Sequence, residues 1–198
     1  MTRAVLATGN AGKLREFAQL LAGAGLELVP QSAFAVPPVA ETGLTFVENA
    51  LIKARHAAAV SGLPAIADDS GLEVAALGGA PGVYSARYSG VHGDDAANND
   101  KLLKELLNAP NEQRDARFIS VLAMLRHADD PVPMIALGAW PGRILHAPRG
   151  EKGFGYDPLF LDPESGLSAA EMSAEAKNAV SHRARAFAAL LALVRCEA

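Results

Sequence analysis

The first seventy residues alternate short apolar runs with longer helix-forming stretches, and glycine stands at each switch. Residues 3–7 are a short apolar run of the length of a buried strand. Residues 8–13, TGNAGK, break it. From Lys13 the period changes: Leu14, Phe17, Leu20 and Leu21 share one helical face, and Gly23 and Gly25 end the helix. Residues 26–29 read as a second strand. A proline-rich loop, residues 30–43, carries Glu41. Thr45 and Glu48 have capping-box spacing, so a helix starts at 46 and runs to 60, where Gly62-Leu63-Pro64 ends it. Residues 65–67 are a third strand. Strands separated by helices bury both faces of a sheet, so this order dictates an α/β fold.

Farther on, residues 77–90 are glycine-rich loop and residues 96–107 an amphipathic helix. Residues 117–125 and 134–140 read as long paired strands, with Pro131 and Pro133 between them. A Gly-aromatic loop at 150–157 precedes a strand at 158–161. Residues 176–195 read as one C-terminal helix. No repeat or linker interrupts residues 1–198, and the order of elements suggests a mixed sheet, in one domain or in two lobes around a cleft.

Composition excludes several classes. A net charge of −4 and a pI near 5.7 argue against a nucleic-acid coat or an anionic-membrane binder. Half the residues are apolar and about a fifth are alanine, which argues against disorder and for closely packed helices. One cysteine, Cys196, supports neither a disulfide framework nor a Cys-rich zinc site. No apolar run approaches the length of a membrane span and no secretory leader is legible, so a soluble cytoplasmic protein is expected.

Four constellations carry chemistry. Thr8, Gly9, Asn10, Ala11, Gly12 and Lys13 join a strand to a helix start, where backbone N–H groups, the helix dipole and a lysine favour a phosphate. The glycine spacing is too short for a Walker A loop, and Leu14 stands where its magnesium-binding hydroxyl belongs. The plain alternative is a tight turn with a solvated lysine. Asp68 and Asp69 close an apolar strand, where adjacent acids need a hard cation or donors; a general base also fits, and a solvated acidic turn is the alternative. In Gly153-Phe154-Gly155-Tyr156-Asp157-Pro158, glycines leave a ring clear of its own backbone to stack on a nucleobase, or else to plug the core. Lys177, Ser181 and His182 fall near one side of a helix, with Arg183 next in the chain, so several donors gather in one region; a solvated basic face is the alternative. Lys53, one turn past Asn49, is placed to face the same region. Together these make a phosphate grip, metal acids, a stacking ring and base-edge donors: the inventory of a nucleotide site.

The chain resembles the bacterial branch of the Ham1 family, the inosine triphosphatases and dITP/XTP pyrophosphatases. The resemblance covers nearly the whole length. Its marks are TGNAGK (8–13), ETGLTFVENALIKA (41–54), ADDSGLEV (67–74), LGGAPGVYSARY (77–88), GFGYDP (153–158) and SHR (181–183). It implies an elongated two-lobed α/β fold, with a long central mixed β-sheet flanked by helices and a substrate cleft between the lobes. It implies a homodimer that hydrolyses ITP, dITP and XTP to the monophosphate and pyrophosphate with Mg2+. By the same resemblance Thr8, Gly9, Asn10, Ala11, Gly12 and Lys13 hold the triphosphate with Lys53. Glu41 and Asp69 bind Mg2+, Asp69 accepts the proton of the attacking water, and Ser70 contacts substrate. Phe154 stacks on the base, and Gly155, Tyr156, Asp157, Lys177, His182 and Arg183 complete its pocket. Asp68 is assigned no role. The competing readings are a pyrophosphatase for other bases, as in the Maf-like proteins, and a non-catalytic nucleotide sensor.

Overall fold

The computed structural model describes residues 2–20 and 26–196. Leu21, Gly23 and Gly25, expected at the end of the first helix, lie outside the described residues. Six strands form one sheet: β1 (Thr2–Ala7), β2 (Leu26–Pro30), β3 (Ala65–Val74), β4 (Asp115–Leu125), β5 (Met134–Ile144) and β6 (Phe160–Leu161). Their order is β2-β1-β3-β4-β5-β6. β1 pairs in parallel with β2 and β3, and β5 pairs antiparallel with β6, so the sheet is mixed. The helices are α1 (Ala11–Leu20), α2 (Phe46–Ser61), α3 (Asp95–Glu105), α4 (Ala174–Val180) and α5 (His182–Cys196). None is long and apolar enough to cross a membrane, among the described residues.

The chain divides into two compact units. The first comprises residues 1–69, 120–138 and 183–198, and the second residues 70–119 and 139–182. The first unit has its own core, in which Leu6 and Ile66 of the sheet meet Phe17 of α1 and Phe187 and Leu190 of α5. The second unit centres on Phe118, Trp140, Phe160, Leu102 and Leu159. Its rings are tilted against one another, Phe118–Phe160 at 4.4 Å and Trp140–Phe160 at 4.8 Å between centroids. Such pairing adds to what burial alone contributes.

Four elements differ from the sequence reading. The strand expected at 158–161 shrinks to the two-residue β6, because Asp157–Leu159 form a 3-10 turn with Pro158 in it. β3 does not stop at residue 67 but continues through Asp68, Asp69, Ser70 and Gly71 to Val74. A run of polar residues looks like a turn, yet cations inside the fold neutralise these acids and the strand need not leave for water. The C-terminal helix is two helices. α4 ends at Ser181, whose φ of −66° and ψ of 158° are extended, and α5 begins at His182. Lys177 and Ser181 therefore do not share the face of one continuous helix. Finally, β5 runs four residues past Trp140, because Pro141 and Gly142 are tolerated near a sheet edge closed by only the two-residue β6.

Candidate active site

In the first unit, β1 delivers the chain to the glycine loop, and Asn10 starts α1. Its Oδ1 accepts the Lys13 N–H at 3.0 Å, while Thr8 Oγ1 accepts the Asn10 N–H at 3.2 Å. This side-chain cap uses one orphan amide of the first turn; helix geometry leaves those of Ala11 and Gly12 without intrahelical partners. Lys13, on the same turn, projects its ammonium to Asp68 of β3 at 2.6 Å.

α2 positions the second lysine. Thr45 caps it: Thr45 Oγ1 accepts the Glu48 N–H at 3.2 Å, and Glu48 accepts the Thr45 N–H at 2.8 Å. Asn49, fully buried, accepts the Gly43 N–H at 2.8 Å and so ties the Glu41 loop to the helix. A Cβ at residue 43 would come within 2.8 Å of that Asn49 oxygen, which is why glycine stands there. One turn on, the Lys53 ammonium lies 2.6 Å from Asp69 and 3.3 Å from Glu41. Two carboxylates from different elements thus converge on one cation.

The adjacent acids Asp68 and Asp69 have opposite electrostatics. Burial opposes the Asp68 charge, but Lys13 and Arg183 outweigh it and hold the carboxyl well below the usual range. Ser120 adds a hydrogen bond at 2.6 Å. Asp68 is permanently ionised, a buried counter-ion for Lys13. Burial dominates at Asp69 and pushes its pKa up to about 6, although Lys53 pulls the other way. Burial also pulls on Lys53, but Asp69 and Glu41 more than offset it and raise its pKa. Asp69 is the member of the pair able to gain and lose a proton near neutrality.

This shift makes a testable statement about stability. A carboxyl whose folded pKa is raised favours the protonated native state. Its contribution is complete below the unfolded value of about 3.9 and is lost as pH rises through about 6. In excess EDTA, wild type therefore loses stability relative to Asp69→Asn between pH 5 and 7.5, by about 1 kcal/mol. Urea denaturation of both proteins at the two pH values measures the difference; parallel profiles contradict the shift.

Arg183, at the start of α5, points into the first unit. Its guanidinium pairs with Glu16 of α1 at 2.7 Å and lies 3.7 Å from Asp68. Glu16 and Ser120 were not legible as site residues, because Glu16 lies on an ordinary amphipathic helix and Ser120 in a buried apolar strand, and each depends on a partner far along the chain.

The second unit gathers the Gly-aromatic loop and α4. Lys177 and Asp157 form a buried ion pair at 2.6 Å, the side chains 8% and 4% exposed. The Lys177 ammonium lies 5.3 Å from the centre of the Phe154 ring. Asp157 also accepts the Phe154 N–H at 3.0 Å. Gly153, with φ +79°, lies directly against the Asp157 carboxylate, where any Cβ would collide. Phe154 and Gly155 stay half-buried, whereas Tyr156 is buried and donates its hydroxyl to the Ser85 carbonyl at 2.8 Å. His182 is buried with its ring stacked on Phe118 at 4.8 Å. Ser70 is half-buried on β3.

The first cluster unites a glycine loop at a helix start, two lysines and three acids, one of them poised to titrate. It can bind phosphate oxygens and deprotonate water. The second offers a ring with a cation beside it. The fold and the first cluster define the class of α/β nucleotide hydrolases. The Ham1 family pattern matches residues 4–193. The chain is 57% identical over 195 residues to a dITP/XTP pyrophosphatase of Shigella flexneri, covering 98% of this chain and 99% of that one. It is 60% identical over 186 residues, 94% of each chain, to a dITP/XTP pyrophosphatase of Xylella fastidiosa (strain 9a5c). Its structure is similar to that of a HAM1 protein from Coxiella burnetii, with a TM-score of 0.91 and 48% identity over 100% of both chains. The chain belongs to the Ham1 family.

Proposed function

We propose that this protein hydrolyses ITP, dITP and XTP to the nucleoside monophosphate and pyrophosphate, removing these purines from the nucleotide pool. The observation that carries the reading is the Asp69–Lys53–Glu41 arrangement, in a chain so similar to named dITP/XTP pyrophosphatases.

Thr8, Gly9, Asn10, Ala11, Gly12 and Lys13 bind the triphosphate through loop amides and an ammonium, with Lys53 assisting. Among the described residues no three His, Cys, Asp or Glu side chains cluster as a ready-made metal cage. Glu41 and Asp69 nevertheless fit Mg2+, which commonly takes one or two protein carboxylates and completes its shell with phosphate and water oxygens. When bound, Mg2+ supplies positive charge that polarises the phosphate oxygens. Asp69 takes the proton of a water attacking the α-phosphorus, and the gripped outer phosphates leave as pyrophosphate. Ser70 contacts the substrate.

Phe154 stacks on the base, flanked by Gly155, Tyr156 and Asp157. Lys177, His182 and Arg183 complete base recognition. Lys177 and Arg183 can only donate hydrogen bonds, which suits a 6-oxo group and penalises the 6-amino group of adenine. Unpaired buried polar groups cost about 1–3 kcal/mol each, so discrimination of about 10²-fold against ATP is expected. The same reading takes the protein to be a cytoplasmic homodimer, without nucleic-acid or membrane partners.

A nucleotide panel tests this, read by monophosphate and pyrophosphate formation. ITP, dITP and XTP should far exceed ATP and pyrimidine triphosphates in kcat/KM. Equal efficiency for ATP and ITP removes the substrate assignment. Preference for pyrimidine triphosphates transfers the protein to the Maf-like reading. Binding without turnover of any nucleotide leaves a sensor.

A further inference from the structure

The Phe154 loop is held by a helix that the base-site motifs do not include. Asp95 and Asn99 stand one turn apart on α3, so their side chains share a face. Asp95 Oδ2 accepts the Gly155 N–H at 2.7 Å, and Asn99 Nδ2 donates to the Gly155 carbonyl at 2.9 Å. Gly155 has φ +61°, a left-handed conformation open to glycine without strain, so the hydrogen bonds from α3 and not the residue itself select it.

The clamp completes a series. The peptide before Phe154 is held by its N–H to Asp157 at 3.0 Å. The peptide after Phe154 is held on both sides, by the Asp157 N–H to its carbonyl at 3.3 Å and by Asp95 on the Gly155 N–H. The next peptide is held by Asn99. Three successive peptide groups around the ring are tied down, and α3 supplies the ties that Asp157 does not.

α3 is itself braced against the glycine-rich segment below the loop. Asn98 accepts the Ser89 N–H at 2.7 Å, and Lys101 donates to the Tyr88 carbonyl at 2.9 Å. The Tyr88 hydroxyl donates to Glu105. Two faces of one helix thus grip two loops.

We propose that Asp95 and Asn99 are positioning residues for base recognition, holding the Gly155 backbone so that the Phe154 ring is preset before the nucleotide arrives. The proposal rests on the reading of Phe154 as the base-stacking ring. A preset ring spares the nucleotide the cost of ordering the loop, so the clamp acts on binding and not on the chemical step.

The test is steady-state kinetics with ITP and Mg2+ on Asp95→Ala, Asn99→Ala and Asp95→Asn. Each alanine variant should raise KM about 3- to 10-fold and leave kcat within about twofold. Asp95→Asn keeps a side-chain oxygen for the Gly155 N–H and should restore most of the lost affinity. A loss of folded protein lowers apparent kcat without moving KM, so the split separates positioning from stability. Should Asp95→Ala fail to fold, Asn99→Ala carries the measurement alone. Unchanged KM in the folded alanine variants, with wild type active on ITP, overturns the clamp. Phe154→Ala with an unchanged KM for ITP overturns instead the stacking role on which it rests.

Discussion

Asp69→Asn should lower kcat for ITP by about 10²–10⁴-fold while the protein stays folded. At Asp69 burial raises an acid towards neutrality while a lysine and a second carboxylate face it. Asparagine keeps the size and one oxygen but cannot accept a proton from water, and it would weaken the Mg2+ site proposed for Asp69 and Glu41. The fold should survive, because the substitution removes a charge that burial disfavours. The neighbouring Asp68 serves as a control of a different kind. It sits between Lys13 and Arg183, so its loss should disturb substrate grip through those cations. Turnover by Asp69→Asn at the wild-type rate, or by wild type in excess EDTA, contradicts the proposed chemistry.

Lys177→Ala should destabilise the protein by about 3–5 kcal/mol, the usual consequence of stranding one member of a buried ion pair. Asp157, 3% exposed, would keep the Phe154 N–H as a donor but lose its counter-charge. Replacing both residues by alanine should recover part of the loss, since no uncompensated carboxylate then remains. The recovery is incomplete because Asp157 also sets the turn beneath Gly153. Urea denaturation of the two single variants and the double variant completes the cycle. A single variant within about 1 kcal/mol of wild type means that the carboxyl is solvated or protonated, and the buried pair has no standing.

The two predictions concern residues of unequal legibility. Asp69 stands out in the sequence because adjacent acids after an apolar run are costly. What the run does not reveal is which acid titrates. That depends on whether Lys13 or Lys53 comes near, and Lys13 lies 55 residues before Asp68. Lys177 could be read from its motif only as a donor on a basic face. Its burial against Asp157 requires the Gly-aromatic loop to fold back under α4.

Local chemistry alone determined the strand-to-helix alternation, the Thr45–Glu48 cap, the glycine loop after β1 and the α/β class. Each depends on residues within a turn or two of one another, and hydrophobic period and capping act over that range. The break at Ser181, the passage of β3 through two aspartates, the opposite electrostatics of Asp68 and Asp69, and the Asp95–Asn99 hold on Gly155 were decided only in the tertiary structure. A charged residue can remain in a strand or under a loop only if a counter-charge or donor reaches it from elsewhere. That compensation is a property of the folded neighbourhood, because burial removes the water that would otherwise supply it.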